Sequence, residues 1–508
     1  MEGQEQTSRG RSAARTAALF VCLAVIIACA AWPFRSHFLF EWDSVQLALG
    51  AQDFDVRRHQ PHPPGYPLWV LLTRLLNCLT ADLNLAQILL AQAFTAGAAV
   101  VLLRFGQALS GAWTGVLAAL FVLLAPPVLQ ANLVATTYTA DLLTSALLGL
   151  LSARLWDGER RWAVPAAVAG ALCAGVRPSG ALLMGPLVLV SLFRACRGRL
   201  PVLLASLAAG CAVALAWFIP VVRASGGWEQ YRQLSQVQYT GAFRTFSWLY
   251  GAPWRDHLAM IRHVSLWYAA SLAAPAALAL VLYALGGRTA AARAADDRRP
   301  AWRRPAFYLL WLLPGLAFNC LLHAAKPGYV LISLPPVALL LAAAAGRGLA
   351  GCAARWPAQR RRLTAAALVC AAGLSLALFG FPYERLFDRP GRQAWRALFQ
   401  TSLGQVRTAD EEMRTVISAI RQSDVPPEQA RLVVVHNSFY SPNWRKVSWY
   451  LPELAPINLD DTREIKFPAG VRRIWWITFP RPFPPLLAEA YPGTRLVASG
   501  LHFALWQK

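Results

Sequence analysis

The distribution of apolar and polar positions divides the chain in two. Between residues 14 and 382 it consists of long apolar runs: 14–34, 83–104, 111–129, 134–155, 162–177, 179–194, 200–222, 264–286, 305–323, 328–346 and 363–382. A helix needs roughly 17–25 predominantly apolar residues to cross a hydrocarbon core of about 30 Å. The eleven runs therefore predict about eleven transmembrane helices. The pair flanking Arg177-Pro178 is short, which fits either a tight hairpin or two helices that penetrate incompletely.

Beyond residue 382 the pattern is that of a small α/β domain, residues 383–508. Residues 406–422 have helical spacing, while Arg431 to Val435 and Ile474 to Phe479 are β-rich. Leu496 to Trp506 predicts a closing hairpin, and Pro426-Pro427 and Pro480 to Pro485 punctuate loops. No GxGxxG or Walker pattern, internal repeat or low-complexity tract occurs.

Composition supports this division. Of 508 residues, 56% are hydrophobic and 15% charged, against roughly 45–50% and 25% in an average soluble protein. A soluble enzyme or a disordered chain is excluded, and an α-helical polytopic membrane protein with a small C-terminal α/β extracytoplasmic domain is expected. The net charge of +23 raises the question of nucleic acid, but the arginines sit in short clusters between apolar runs, so no nucleic-acid partner is expected. Lysine occurs only at 326, 446, 466 and 508, a bias that points to a GC-rich genome and a bacterium. The nine cysteines all lie at or before Cys370 and suggest neither a disulfide framework nor a metal site.

The arginines also orient the chain, because cytoplasmic loops carry the positive excess. With the N-terminus inside, Arg9, Arg11, Arg15, Arg104, Arg154, Arg160, Arg161, Arg194, Arg197, Arg199, the cluster from Arg288 to Arg304 and that from Arg347 to Arg362 all fall on one side. The outer face of a bacterial cytoplasmic membrane then receives 35–82, 223–263 and the tail. The first run also resembles a cleaved signal peptide, with Ala28-Cys29-Ala30 before Trp32-Pro33. An uncleaved helix is preferred, because the segment that follows it needs an anchor.

That first outside segment packs Glu41, Asp43, Asp53 and Asp55 with Arg57, Arg58, His59 and His62. A solvated loop is the bland alternative, yet Trp42, Val45, Leu47, Leu49 and Phe54 predict packing on the membrane face with polar groups directed into a site. In His62-Pro63-Pro64-Gly65-Tyr66-Pro67-Leu68, Pro64 and Gly65 suit positions i+1 and i+2 of a type II turn, which would fix His62 and Tyr66. Segment 223–263 carries Trp228, Tyr231, Tyr239, Phe243, Phe246, Trp248, Tyr250 and Trp254 among arginines, an interfacial composition.

Asp43-Ser44 followed by HPPGYPL resembles the bacterial and animal membrane family related to protein O-mannosyltransferases, within the GT-C superfamily of glycosyltransferases. The family usually carries Asp-Ser-x-Glu, whereas this chain has Asp43-Ser44-Val45-Gln46 and a longer, more charged spacer. Thr137-Tyr138-Thr139-Ala140-Asp141 resembles the acidic start of a helix in GT-C enzymes, and Lys326-Pro327-Gly328-Tyr329 the basic-aromatic start of a later one. The similarity spans 14–382, the expected catalytic domain 1–382; the tail carries no matched motif.

The resemblance implies transfer of a sugar, a mannose-like hexose or a pentose, from a polyprenyl-phosphate carrier to the hydroxyl of a protein, glycan or lipid acceptor, with inversion. Such chemistry needs a base for the hydroxyl, for which Asp43 is the candidate. It also needs cations and hydrogen bonds for the phosphate: Arg177, Lys326, Tyr329, His62 and Tyr66. Asp141, Tyr138 and Gln46 are the acceptor-side candidates. Four have a bland alternative: a helix cap for Asp43, a snorkelling cation for Arg177 or Lys326, a turn residue for His62. No cofactor beyond the lipid-linked donor is expected; were a metal used, Asp53 and Asp55 of the DxD-like Asp53-Phe54-Asp55 would be its ligands. Rival functions are a transporter or flippase, which should show repeats and broken helices, and a non-catalytic binder of lipid-linked glycans.

Overall fold

The computed structural model describes residues 2–286, 305–435, 440, 442–459, 465 and 467–508. The arginines between 287 and 304 lie outside the described residues. Helix α1 is Glu2–Ala31, followed by α2 Trp42–Gln52, α3 Pro67–Thr80, α4 Leu83–Ser110, α5 Ala112–Leu123, α6 Pro126–Ala131 and α7 Tyr138–Trp156. Then come α8 Ala163–Val176, α9 Pro178–Ala195, α10 Leu200–Ala224, α11 Trp228–Phe246, α12 Trp254–Gly286, α13 Pro305–Ala317, α14 Leu334–Arg355 and α15 Arg360–Gly380.

Every one of the eleven apolar runs is helical. Among the described residues, however, eight helices are long and apolar enough to cross a membrane, and the three remaining runs differ for physical reasons. Run 111–129 is divided between α5 and α6, because Pro126 and Pro127 cannot donate to the preceding turn. Run 162–177 gives the 14-residue α8, about 21 Å long. Run 134–155 starts late, at α7, whose Thr139, Asp141, Thr144, Ser145 and Ser152 are buried. This helix faces protein rather than lipid on most of its surface, packing on α4, α8 and α9. Its polar residues therefore meet side chains: Ser145 Oγ accepts from Trp311 Nε1 at 2.9 Å.

Segments 35–82 and 223–263 are structured rather than loops. The first holds α2 and α3, with Val45 and Leu47 fully or almost fully buried as the apolar pattern predicts. The second holds the end of α10, the whole of α11 and the start of α12.

The C-terminal domain contains α16 Arg392–Phe399, α17 Leu403–Arg421, α18 Trp444–Tyr450 and α19 Pro485–Ala490. Its strands are β1 Ala430–Val434, β2 Ile457–Asn458, β3 Arg473–Thr478, β4 Arg495–Ser499 and β5 Ala504–Gln507, in sheet order β2-β1-β3-β5-β4. β1 is parallel to β2 and β3, and the expected hairpin is the antiparallel β4-β5 pair. Alternation along β1 explains its composition: Leu432 and Val434 pack with Met413, Val416 and Ile420 of α17, while Val433 packs with Trp476 on the other face.

This domain grips the segment that leads into α2. Asp410 accepts from Ser36 Oγ at 2.5 Å and from the His37 amide at 2.7 Å, and the Tyr450 hydroxyl accepts from the Leu39 amide at 2.7 Å. Lys446, fully buried, donates to the carbonyls of Phe40 at 3.3 Å and Tyr440 at 3.2 Å. The two residues that follow Phe40, Glu41 and Trp42, are thereby held where α2 begins.

Candidate active site

Asp43 lies in the first turn of α2. The Ser44 hydroxyl accepts from the Glu41 amide at 3.3 Å and donates to the Ala135 carbonyl at 2.5 Å, so the helix start is pinned against the segment before α7. Asp43 then meets a residue almost three hundred positions away: Lys326 Nζ is 2.6 Å from its Oδ2 and 2.9 Å from Glu41 Oε2. Lys326 and Glu41 are each 4% exposed, Asp43 30%. Asp43 is thus the carboxylate that faces open space, and Glu41 the buried counter-charge behind it.

Burial pushes the carboxyl of Asp43 up, but the adjacent Lys326 ammonium outweighs it and holds the group down to about 2. For Glu41 burial prevails and its carboxyl is raised. One cation between two carboxylates therefore leaves Asp43 as the more acidic member.

The HPPGYPL segment supplies the next wall. Its turn closes one residue earlier than the type II assignment: the Gly65 amide donates to His62 O at 3.0 Å and the Pro63-Pro64 peptide is cis, which makes Pro64 position i+2 of a type VI turn. Gly65 nevertheless has φ +100°, a conformation open to glycine. The turn brings His62 and Tyr66 together as expected, with 3.3 Å between Tyr66 Oη and His62 Nε2. Gln46 Oε1 lies 2.5 Å from His62 Nδ1. An amide oxygen only accepts, so Nδ1 carries the proton and Nε2 is left to accept from Tyr66. Burial lowers His62 to about 4, which keeps the ring neutral at ordinary pH.

Arg177, at the start of α9, completes the polar wall. Its Nε donates to Asp141 Oδ2 at 2.6 Å, a second nitrogen donates to the Thr137 hydroxyl, and its guanidinium lies 4.3 Å from the Tyr138 ring centroid and 5.7 Å from that of Tyr329. Gly328 is required here, because a Cβ at that position would be 2.0 Å from Tyr138 Cγ.

A cavity of about 420 Å³ is lined by Asp43, His62, Tyr66, Arg177, Lys326 and Tyr329, with α11 as the facing wall through Tyr239, Phe243 and Phe246. All six residues assigned to base and phosphate contacts thus surround one space. Asp141, Tyr138 and Gln46 do not line it; they stand behind Arg177 and His62 and orient them. Asp53 and Asp55 are elsewhere, paired with Arg57 and Arg58: Asp55 binds Arg57 Nε at 2.9 Å and Arg58 Nε at 3.0 Å. Glu41 is the site residue that motif reasoning overlooks. Its signal was proximity to Asp43 in Glu41-Trp42-Asp43, upstream of the motif rather than at the Gln46 position.

No protein-family model and no curated protein matches the sequence. Solved structures do. ArnT from Cupriavidus metallidurans bound to undecaprenyl phosphate aligns over 97% of this chain and 97% of its own, with TM-score 0.55 and 16% identity. The apo state of the same protein aligns over 98% of each chain, with TM-score 0.52 and 16% identity. The chain shares the fold of ArnT. A polytopic helical body with a small C-terminal domain, the architecture expected from the sequence, is common to both.

Proposed function

We propose that the chain is an integral-membrane glycosyltransferase of GT-C type that takes a sugar from a polyprenyl-phosphate carrier. The observation that carries this reading is the convergence of Asp43, Lys326 and Arg177, from three distant parts of the chain, on one cavity walled by the aromatic helix α11. The likeness to a protein solved with undecaprenyl phosphate supports it. The donor sugar is taken as a mannose-like hexose or a pentose, after the HPPGYPL resemblance, and the site is placed on the outer face of a bacterial cytoplasmic membrane.

The chemistry follows from the charges. The donor phosphodiester enters between Lys326 and Arg177, with hydrogen bonds from Tyr66 and Tyr329, while α11 lies at the headgroups and guides the lipid. An acceptor hydroxyl attacks the anomeric carbon opposite the phosphate. Its proton passes to Asp43, the C–O bond to phosphate breaks, and the electron pair leaves on the polyprenyl phosphate, stabilised by the two cations. One displacement inverts the anomeric centre. Paired with Lys326, Asp43 is a weak base; a phosphate that draws the ammonium away makes it a stronger one, so donor binding arms the base. No metal role is assigned to Asp53 and Asp55, whose carboxylates are already engaged by arginines.

The test is turnover by the purified chain in nanodiscs, with a panel of undecaprenyl-phosphate-linked hexoses and pentoses and an envelope extract as acceptor source. Release of undecaprenyl phosphate from at least one donor is expected. Failure to bind undecaprenyl phosphate, together with no turnover of any donor, would sink the proposal.

A further inference from the structure

A groove of about 1000 Å³ opens on the side of the helical body and shares no lining residue with the candidate active site. Three helices form its apolar walls: Phe20 of α1, Gly97 and Val101 of α4, Leu143 and Leu147 of α7. Val101, Leu143 and Leu147 are half-buried and back onto the main hydrophobic core. Gly97 helps to keep the hollow open, since a Cβ at that position would already stand 3.3 Å from Leu143 Cδ1. Helix α1 packs on α4, but its own span is almost wholly uncovered by protein. The groove therefore faces the hydrocarbon around the helices.

One end of the groove is polar, lined by Thr16, Arg161 and Trp162. Thr16 stands near the start of the apolar part of α1 and accepts from Arg104 of α4 at 3.0 Å, while Arg161 and Trp162 follow the end of α7. These residues share the side that the arginine distribution assigns to the cytoplasm. The stretch of α7 from Leu143 to its last residue, Trp156, is about 20 Å long, and that of α4 from Gly97 to Arg104 about 10 Å. Half of a hydrocarbon core measures about 15 Å, so the groove runs through one leaflet. That depth suits an acyl chain rather than a small soluble molecule.

The charges at the polar end select the headgroup. Glu159 is shared by three donors: Arg154 at 3.0 Å, Arg161 at 2.6 Å and Trp162 Nε1 at 3.2 Å. Arg104 meets the Thr16 hydroxyl and has no carboxylate partner among the described residues. Arg104, Arg154, Arg160 and Arg161 thus stand against only Asp157 and Glu159. Guanidinium groups grip phosphate through paired hydrogen bonds, basic pockets between helices at this level suit anionic lipid, and Trp162 is an interfacial anchor.

We propose that the groove binds an anionic glycerophospholipid of the leaflet on the arginine-rich side, an acyl chain against Gly97 and Leu143 and the phosphate between Arg104 and Arg161. The site is separate from the donor cavity and does not depend on the glycosyltransferase reading. Its occupant fills the gap between α1 and α7 and fastens α1, the helix that leads into the segment carrying Glu41 and Asp43.

The test is native mass spectrometry of the full chain from micelles holding equal amounts of phosphatidylglycerol and phosphatidylcholine, with melting by tryptophan fluorescence as the check of folding. Phosphatidylglycerol should be retained about tenfold or more over phosphatidylcholine, as two arginines at a membrane surface predict. Arg104→Gln/Arg161→Gln should remove that preference. Val101→Trp, which fills the groove without changing charge, should reduce retention of both lipids. Arg197→Gln/Arg199→Gln makes the same change of charge at exposed positions outside the groove and should leave the preference intact. Equal retention of the two lipids by the parent overturns the proposal. So does a preference that the Arg197/Arg199 variant loses as fully as the Arg104/Arg161 variant, or one that survives both groove variants. A dimer that keeps lipid out of the groove, seen as a doubled mass that Val101→Trp abolishes, gives the groove to a second copy and overturns it too.

Discussion

Replacing Lys326 by Met removes one positive charge from between two carboxylates, and the structure indicates which of the two suffers. Asp43, 30% exposed, can recruit water; Glu41, 4% exposed, cannot. Leaving a buried charge without its partner destabilises by about 3–5 kcal/mol. In a domain of 150–250 residues each kcal/mol corresponds to about 2–4 °C in Tm, and to less in a longer chain; a fall of several degrees is expected by fluorescence-detected melting. The double variant Lys326→Met/Glu41→Gln removes the orphaned charge as well and should recover most of the loss, while remaining inactive because the phosphate has lost its cation. The pH dependence carries a second sign. In Lys326→Met the Glu41 carboxyl is raised still further above its unfolded value of 4.5, so this variant should gain stability as the medium is acidified through the raised folded-state value down to about pH 4.5. A single variant as stable as the parent, or a double variant no more stable than the single one, would refute the argument that Lys326 is held by a buried charge on Glu41.

Other perturbations follow from the same geometry. Burial lowers His62 to about 4, so the unfolded chain binds more protons between about pH 4 and 6.5, and stability should fall on acidification across that window by up to about 3 kcal/mol; chemical denaturation should show this slope in the parent and not in His62→Gln, with a constant difference between the two above pH 7. Lys446, lowered by burial to about 8, should make docking of the C-terminal domain firmer as pH rises from 8 towards 10.5, again by about 3 kcal/mol, and limited proteolysis of Lys446→Met should show no such trend. Gly328→Ala drives a methyl into the Tyr138 ring, so overpacking of about 1–3 kcal/mol and loss of undecaprenyl phosphate affinity are expected together in melting and binding measurements.

The parts of this protein legible in its sequence are those with short-range causes. Apolar length marked all eleven runs as helical, and runs rich in β-branched and aromatic residues marked β1 and β3. HPPGYPL announced a turn that joins His62 to Tyr66, although a proline-rich stretch admits more than one register and the closing hydrogen bond lay one residue upstream. Membrane exposure was overcounted at α7, because hydropathy does not distinguish a helix surrounded by lipid from one surrounded by protein. What eluded the sequence depends on long-range packing. Lys326 to Glu41, Arg177 to Asp141 and Asp410 to Ser36 are pairings no local spacing encodes. A second site carboxylate was sought at Gln46, three residues after Asp43, whereas the fold supplies it at Glu41, two residues before. Asp141 was legible as the acidic start of a helix; that it serves Arg177 became visible only once α7 and α9 were side by side.

The central claim is that Asp43 takes the proton of the attacking hydroxyl. The direct test is single-turnover transfer from an undecaprenyl-phosphate-linked sugar in nanodiscs, parent beside Asp43→Asn, with undecaprenyl phosphate affinity measured on the same samples. Asparagine keeps the shape and a hydrogen-bonding oxygen but not the basicity, so transfer should slow by about 10² to 10⁴, with affinity for the lipid phosphate unchanged or improved because Lys326 is freer to meet it. Transfer at the parental rate by Asp43→Asn would contradict the account.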